Sequence, residues 1–206
     1  MQGAVTQILW LAPAAALAIG YLLGSIPFGV ILTRLGGAGD LRQIGSGNIG
    51  ATNVLRTGRK GLAAATLLLD GFKGWLAVAI VAWAFPGEAQ LAAAGAFLGH
   101  CYPVWLRFKG GKGVATLMGI VLALHWPLGL IYAVVWLGLL AGLRISSVAG
   151  IAAAISAPVA AAILGRFDLV ALLIALALIV VWKHRENIER LLAGTEPRVG
   201  GRKTLG

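Results

Sequence analysis

Two glycine-rich segments carry the side chains best suited to hold an anion. The first is Gly45-Ser46-Gly47-Asn48-Ile49-Gly50, followed by Thr52 and Asn53 and flanked by Arg42 and Arg56. Glycines let backbone N–H groups approach an anion closely, and Ser46, Asn48, Thr52 and Asn53 add side-chain donors. The two arginines can supply forked contacts to phosphate. The second segment is Phe108-Lys109-Gly110-Gly111-Lys112-Gly113, and an apolar run begins at Val114. Amides at a helix N-terminus form a ready anion site, here reinforced by Lys109 and Lys112. Both segments are therefore expected to bind phosphate.

Each segment also imitates a nucleotide motif. The first matches G-x-G-x-x-G, and Asp70 lies 20 residues past Gly50. That pattern has meaning only between a strand and a helix, and no βαβ unit surrounds it. The second lacks the Ser or Thr that a P-loop places directly after its lysine to ligate magnesium; Gly113 follows Lys112 instead. Phosphate binding without nucleotide hydrolysis is the expectation. No His-x-x-x-x-Asp pair and no G-x-S-x-G elbow occurs.

The remaining candidates are scattered. His100 lies near the end of an apolar run, before Tyr102-Pro103; a histidine there is a structural hydrogen-bonder or a base. His184, Asn187 and Arg190 recur every three residues and share a helical face. Asp70 and Lys73 are spaced to pair inside an apolar run, a structural pair in this reading. The three histidines, His100, His125 and His184, have no metal-ligand spacing, and the single cysteine, Cys101, excludes an internal disulfide and a Cys-cluster site. Neither metal nor cofactor is expected.

The elements that must position these residues are membrane helices. Of 206 residues, 59% are hydrophobic and only 12% charged, against about 25% charged in a typical soluble domain. Mean hydropathy is +0.90. Net charge is +10, from 17 Lys+Arg against 7 Asp+Glu. In a membrane protein that excess reads as positive-inside bias and attraction to anionic headgroups. No basic tract is interleaved with stacking aromatics, so nucleic acid is not an expected partner.

A span needs about 20 apolar residues. The first runs from Ala4 to Leu32 with a bend at 24–29, the second from Leu62 to Phe85 and the third from Leu91 to Leu106. Val114 to Leu143 is too long for one helix; His125-Trp126-Pro127 at its middle predicts two short spans joined by an outer turn at 125–127. Ile145–Leu164 and Asp168–Trp182 complete the count. The fold class is thus all-α, a polytopic bundle of seven transmembrane helices forming one domain. No Lys or Arg precedes the first apolar run, Arg34 being the first. That is the reverse of a signal peptide and predicts an N-terminus outside. The loops at 34–61, 107–113 and 144–147 and the C-terminal tail then face the cytoplasm, leaving only Arg166 in an outer turn. Six spans would put Arg144 and the charged tail outside, against the charge rule. The tail from about residue 197 is expected to be disordered.

From about Tyr21 to Pro197 the chain resembles the bacterial acyl-phosphate:glycerol-3-phosphate acyltransferases (PlsY). The resemblance rests on ordered blocks: Gly24–Gly29; Asp40-Leu41-Arg42 with Gly45–Arg56; Asp70-Gly71-Phe72-Lys73-Gly74; Gly99-His100 with Tyr102-Pro103; Phe108–Thr116; and His184–Ile188. It implies acyl transfer from acyl phosphate to the sn-1 hydroxyl of glycerol 3-phosphate at the inner membrane, the first step of phospholipid synthesis. The products would be lysophosphatidic acid and phosphate. By resemblance, Ser46, Asn48, Thr52 and Arg56 line one part of the site, and Gly110–Gly113 with Lys112 hold acyl phosphate. His184 and Asn187 close the site from the tail, and Ser147 fills the family's polar position in the last inner loop. Ser46, Lys112 and Asn187 stand with His100 as catalytic candidates. His100 is the natural general base, although the phosphate's own oxygens can take the hydroxyl proton. Membrane lipids are the other expected partners, and a monomer is compatible with everything above. A transporter would place polar groups mid-membrane, and a scaffold needs no paired glycine-basic loops; both fit less well.

Overall fold

The computed structural model describes residues 2–200, with side chains from Trp10. Every regular element among the described residues is helical. The chain divides into two compact units, Met1–Gly129 and Leu130–Gly206.

The first unit holds α1 (Gln2–Gly24), α2 (Phe28–Leu35), α3 (Ala51–Leu55), α4 (Lys60–Ala84), α5 (Ala89–Cys101) and α6 (Val114–Leu124); α7 (Trp126–Leu143) begins at its end. The expected bend separates α1 from α2, and Pro27, with a non-helical backbone (φ −90°, ψ 73°), precedes the first residue of α2. α1 packs on α5, and α4 packs on α6. Glycines set both interfaces. A Cβ on Gly20 or Gly24 of α1 would overlap the carbonyls of Ala92 or Ala96 on α5. A Cβ on Gly95 or Gly99 of α5 would overlap those of Leu17 or Tyr21 in return. These are two facing G-x-x-x-G pairs, the spacing that lets membrane helices touch backbone to backbone. Gly119 of α6 meets the Gly71 carbonyl of α4 in the same way.

The run 114–143 breaks into two helices as expected, at His125, whose backbone is extended (φ −162°); Trp126 and Pro127, expected in the same turn, open α7. Pro127 falls in the first turn of α7, where its missing N–H has no helical partner to lose.

The second unit continues with α8 (Ser146–Ile163), α9 (Phe167–Lys183) and α10 (Arg185–Leu192). α8 packs against α9; Ala149, Ala153 and Ala157 on the one and Leu169, Leu173 and Val180 on the other are buried. α10 is polar and sharply bent, 58° from α9. The residues from Arg198 to Gly200 are described, and Val199 N–H donates to the Arg144 carbonyl at 2.6 Å; the rest of the expected disordered tail, 201–206, lies outside the described residues.

Four segments are long and apolar enough to cross a membrane: Trp10–Leu35, Lys60–Ala84, Trp126–Leu143 and Ser146–Ile163. The bent pair α9–α10 would make a fifth. Length and composition thus support four or five of the seven expected spans. α5 and α6, with 13 and 11 residues, extend only about 20 and 17 Å, against a hydrocarbon core of about 30 Å.

Candidate functional site

The first loop is a built structure. Leu41, Ile49 and Val54 are buried against Val30 of α2 and Ala63 of α4, giving the loop an apolar foot. Asn53, 1% exposed, organises what stands on it. Its Nδ2 donates to the carbonyls of Leu41 (3.1 Å), Ile44 (2.8 Å) and Asn48 (2.8 Å). Its Oδ1 accepts from Ser46 N–H at 3.2 Å. Asn53 was expected among the phosphate donors. Its amide is instead fully engaged by the loop's own backbone, and it shapes the loop from beneath.

Gly45 and Gly47 take left-handed φ (57° and 69°), which a side chain would strain. A Cβ on Gly45 would also lie 2.9 Å from the Arg56 guanidinium, so Arg56 closes over the loop beside Ser46. Ser46, Thr52 and Arg56 are exposed, and Asn48 is half-buried. Arg42 is turned to Asp40, which takes its Nη2 (2.7 Å), Nε (3.0 Å) and backbone N–H (3.0 Å). These hydrogen bonds hold the Asp40 carboxyl down at about 2. One forked edge of Arg42 is therefore already occupied.

The second loop is anchored at both ends. Trp105 Nε1 donates to the Ser25 carbonyl (2.7 Å), and Tyr21 Oη bridges the Tyr102 carbonyl (2.9 Å) and Val104 N–H (3.1 Å). Arg107 and Phe108 both sit at left-handed φ, 52° and 61°, a strain of about 1–3 kcal/mol each that the anchors must hold. Gly110 N–H donates to the Cys101 carbonyl (3.2 Å), and Gly111 N–H to that of His100 (3.0 Å). Those two amides were expected to face phosphate; they are turned to the orphan carbonyls at the C-terminus of α5. The glycines are needed for close approach to the protein itself. A Cβ on Gly110 would overlap the His100 carbonyl, and one on Gly111 the His100 imidazole. What this loop presents is half-buried Lys112 and the start of α6, whose N-cap Gly113 (φ 86°) makes no side-chain capping bond. Lys109 is exposed.

His100 lies beneath this loop, 4% exposed. Its Nδ1 is 3.8 Å from Asp70 Oδ1. Lys73 Nζ contacts the same oxygen at 2.7 Å, donates to the Ile26 carbonyl at 2.7 Å and lies 5.7 Å from the Phe28 ring centre. The expected Asp70–Lys73 pair forms, and it reaches further than its spacing shows.

In the second unit, three donors converge on Glu196. Its Oε1 accepts from Ser147 Oγ (2.7 Å) and Asn187 Nδ2 (2.5 Å), and its Oε2 from Arg190 Nε (2.7 Å). Burial pushes the Glu196 pKa up, but the three hydrogen bonds outweigh it and hold the carboxyl below its ordinary value. Asn187 and Arg190 do share a face of α10, as their spacing predicts. His184 Nδ1 lies 2.8 Å from the Val180 carbonyl. A carbonyl only accepts, so Nδ1 carries the proton and, in the neutral ring, Nε2 is an acceptor. Sequence reasoning missed Glu196; a lone glutamate in a Gly/Pro-containing tail carries no signal. Among the described residues no group of three His, Cys, Asp or Glu could hold a metal.

Comparison with known proteins adds a family. The sequence pattern of glycerol-3-phosphate acyltransferases matches residues 14–194. The chain is similar to the glycerol-3-phosphate acyltransferase of Novosphingobium aromaticivorans, 70% identical across 91% of this chain and 95% of that one. The enzyme of the same name from Ruegeria sp. is 60% identical across 88% and 91%. The crystal structure of PlsY (YgiH), an integral membrane glycerol 3-phosphate acyltransferase, in its glycerol 3-phosphate form, superposes with TM-score 0.86 at 39% identity, covering 91% of this chain and 96% of that one. Its lysophosphatidic acid form gives 0.82 at 36%, covering 91% and 95%.

Proposed function

This chain belongs to the glycerol-3-phosphate acyltransferase family, and on that premise we propose that it moves a fatty acyl group from acyl phosphate to the sn-1 hydroxyl of glycerol 3-phosphate. The hydroxyl oxygen forms a bond to the acyl carbon, and the bond from that carbon to the phosphate oxygen breaks. The products are lysophosphatidic acid and inorganic phosphate. The solved relative's two forms hold the acceptor and the product of that reaction.

The observation that carries the donor assignment is the placement of Lys112 and Gly113. They stand at the N-terminus of an 11-residue apolar helix, on a loop tied to the end of a 13-residue one. Beside α4, which has 25 residues and is about 38 Å long, both neighbours are short. Thr116 of α6 lies against Gly74 of α4, well along that helix from Lys60, so the connecting loop is recessed from the start of α4, and the head of an acyl phosphate can meet a lysine there while its tail stays among apolar helices. The helix dipole and Lys112 stabilise charge that develops on the departing phosphate. Ser46, Asn48, Thr52 and Arg56 hold the acceptor's phosphate on the first loop. Within the second unit, Ser147 and Asn187, oriented by Glu196, and His184 through Nε2 form a polar set of their own. Acyl phosphate is an activated mixed anhydride, so positioning and charge stabilisation suffice, and the leaving phosphate takes the hydroxyl proton.

The charge pattern supports seven membrane crossings, with the N-terminus outside and both loops at the cytoplasmic face of the inner membrane. α5 and α6 then count as short crossings.

Purified protein in detergent, given acyl phosphate and glycerol 3-phosphate, tests the reading. Phosphate release should require both substrates. Release that ignores glycerol 3-phosphate, or equal turnover with acyl-CoA, refutes it. Lys112→Ala should abolish most turnover while membrane insertion persists.

A further inference from the structure

We infer that His100 is a positioning residue, which sets the height of the Lys112 loop through Gly111 and does not transfer a proton. The inference rests on the acyltransferase reading above. It follows from a row of contacts across the first unit. The Ile26 carbonyl holds Lys73, Lys73 holds Asp70, and Asp70 Oδ1 faces His100 Nδ1 at 3.8 Å. The opposite edge of the imidazole, at Nε2, lies where a Gly111 Cβ would be. The His100 carbonyl receives Gly111 N–H as well, at 3.0 Å. The histidine thus meets Gly111 twice, with its ring and with its backbone.

Both edges of the ring are faced by protein, and the residue is 4% exposed. A general base must come within hydrogen-bond reach of the proton it takes, directly or through one water. His100 instead fills the space under the loop. Lys112 and Gly113 follow directly on Gly111, so a shift there moves the charge and the helix start that face the donor phosphate. A displacement of about 1 Å is enough to lower turnover by roughly a hundredfold.

A double-mutant cycle decides the point, read as kcat and KM per mole of folded protein, with a pH–rate profile for each variant. Gly111→Ala drives a methyl into the imidazole and should lower kcat by roughly a hundredfold. His100→Ala should lower it by only about tenfold, with the pH profile unchanged in shape. Combining the two should restore activity to near the His100→Ala level, because the new methyl enters the vacated space. Two results overturn the inference: losses that simply multiply, or a His100→Ala profile that loses one limb. Should His100→Ala not purify, His100→Asn opens the same space with a polar side chain, and the cycle is run on it with the same criteria. Failure of the acyltransferase reading looks different, because the unmodified protein would then show no glycerol-3-phosphate-dependent phosphate release.

Discussion

Replacing Asn53 with leucine separates a residue that builds the first loop from one that binds substrate. The substitution keeps the branched shape and the number of heavy atoms and removes every polar contact. Nδ2 carries two hydrogens and faces three carbonyls, while Oδ1 accepts from Ser46 N–H. At least two donated bonds and one accepted bond are lost. Three neutral bonds at about 0.5–1.5 kcal/mol each give roughly 1.5–4.5 kcal/mol. The helices do not depend on these bonds, so the loss should appear as opening of the loop. An energy near 3 kcal/mol raises the opened population roughly a hundredfold. Trypsin reads that population directly, since exposed Arg42 and Arg56 bracket the loop. Cleavage there should accelerate, kcat should fall, and the thermal midpoint should move little. Asn53→Asp keeps the size and the acceptor but turns a carboxylate toward three carbonyls, so it should open the loop at least as far. If Asn53→Leu raises the KM for glycerol 3-phosphate while the loop resists trypsin as before, Asn53 touches substrate and this reasoning fails.

Three further outcomes follow from named contacts. Lys73→Met leaves Asp70 buried without its cation and should destabilise by about 3–5 kcal/mol, with Asp70→Asn added on top recovering part of it; equal unfolding midpoints for single and double variants would contradict the pairing. Gly24→Ala should lower the unfolding midpoint sharply because its methyl overlaps the Ala96 carbonyl, whereas Gly138→Ala, in α7 with open space around it, should be neutral or stabilise by about 0.5–1 kcal/mol. Glu196 has its pKa held below the ordinary value of 4.5, so its stabilisation is present above that pH and fades as pH falls below it. Glu196→Gln should therefore lower the midpoint at neutral pH and converge with the unmodified protein in acid; a gap that does not shrink with acid would show that the charge is not what stabilises.

What was legible in the sequence was whatever depends on short spacing. The bend at 24–29, the break within 114–143 and the Asp70–Lys73 pair all follow from local steric or helical rules, and the structure only narrows the expected turn 125–127 to His125. The glycine loops were legible as places where backbone comes close to something. What it comes close to was not. Gly110 and Gly111 were expected to admit phosphate; their amides turn to the last carbonyls of α5, and their missing side chains make room for His100. A glycine reports that space is needed and is silent about the occupant, which here arrives from ten or eleven residues upstream. Asn53 shows the same ambiguity in a polar residue: an amide suited to a ligand is equally suited to three carbonyls, and only burial decides. Glu196 lay furthest from view. Its partner Ser147 is 49 residues away, and neither position carries a pattern of its own. The second unit's donors were nonetheless expected to meet an anion, and they do meet one, supplied by the chain. Donor chemistry in a sequence therefore states the charge of the partner and leaves its source to the fold.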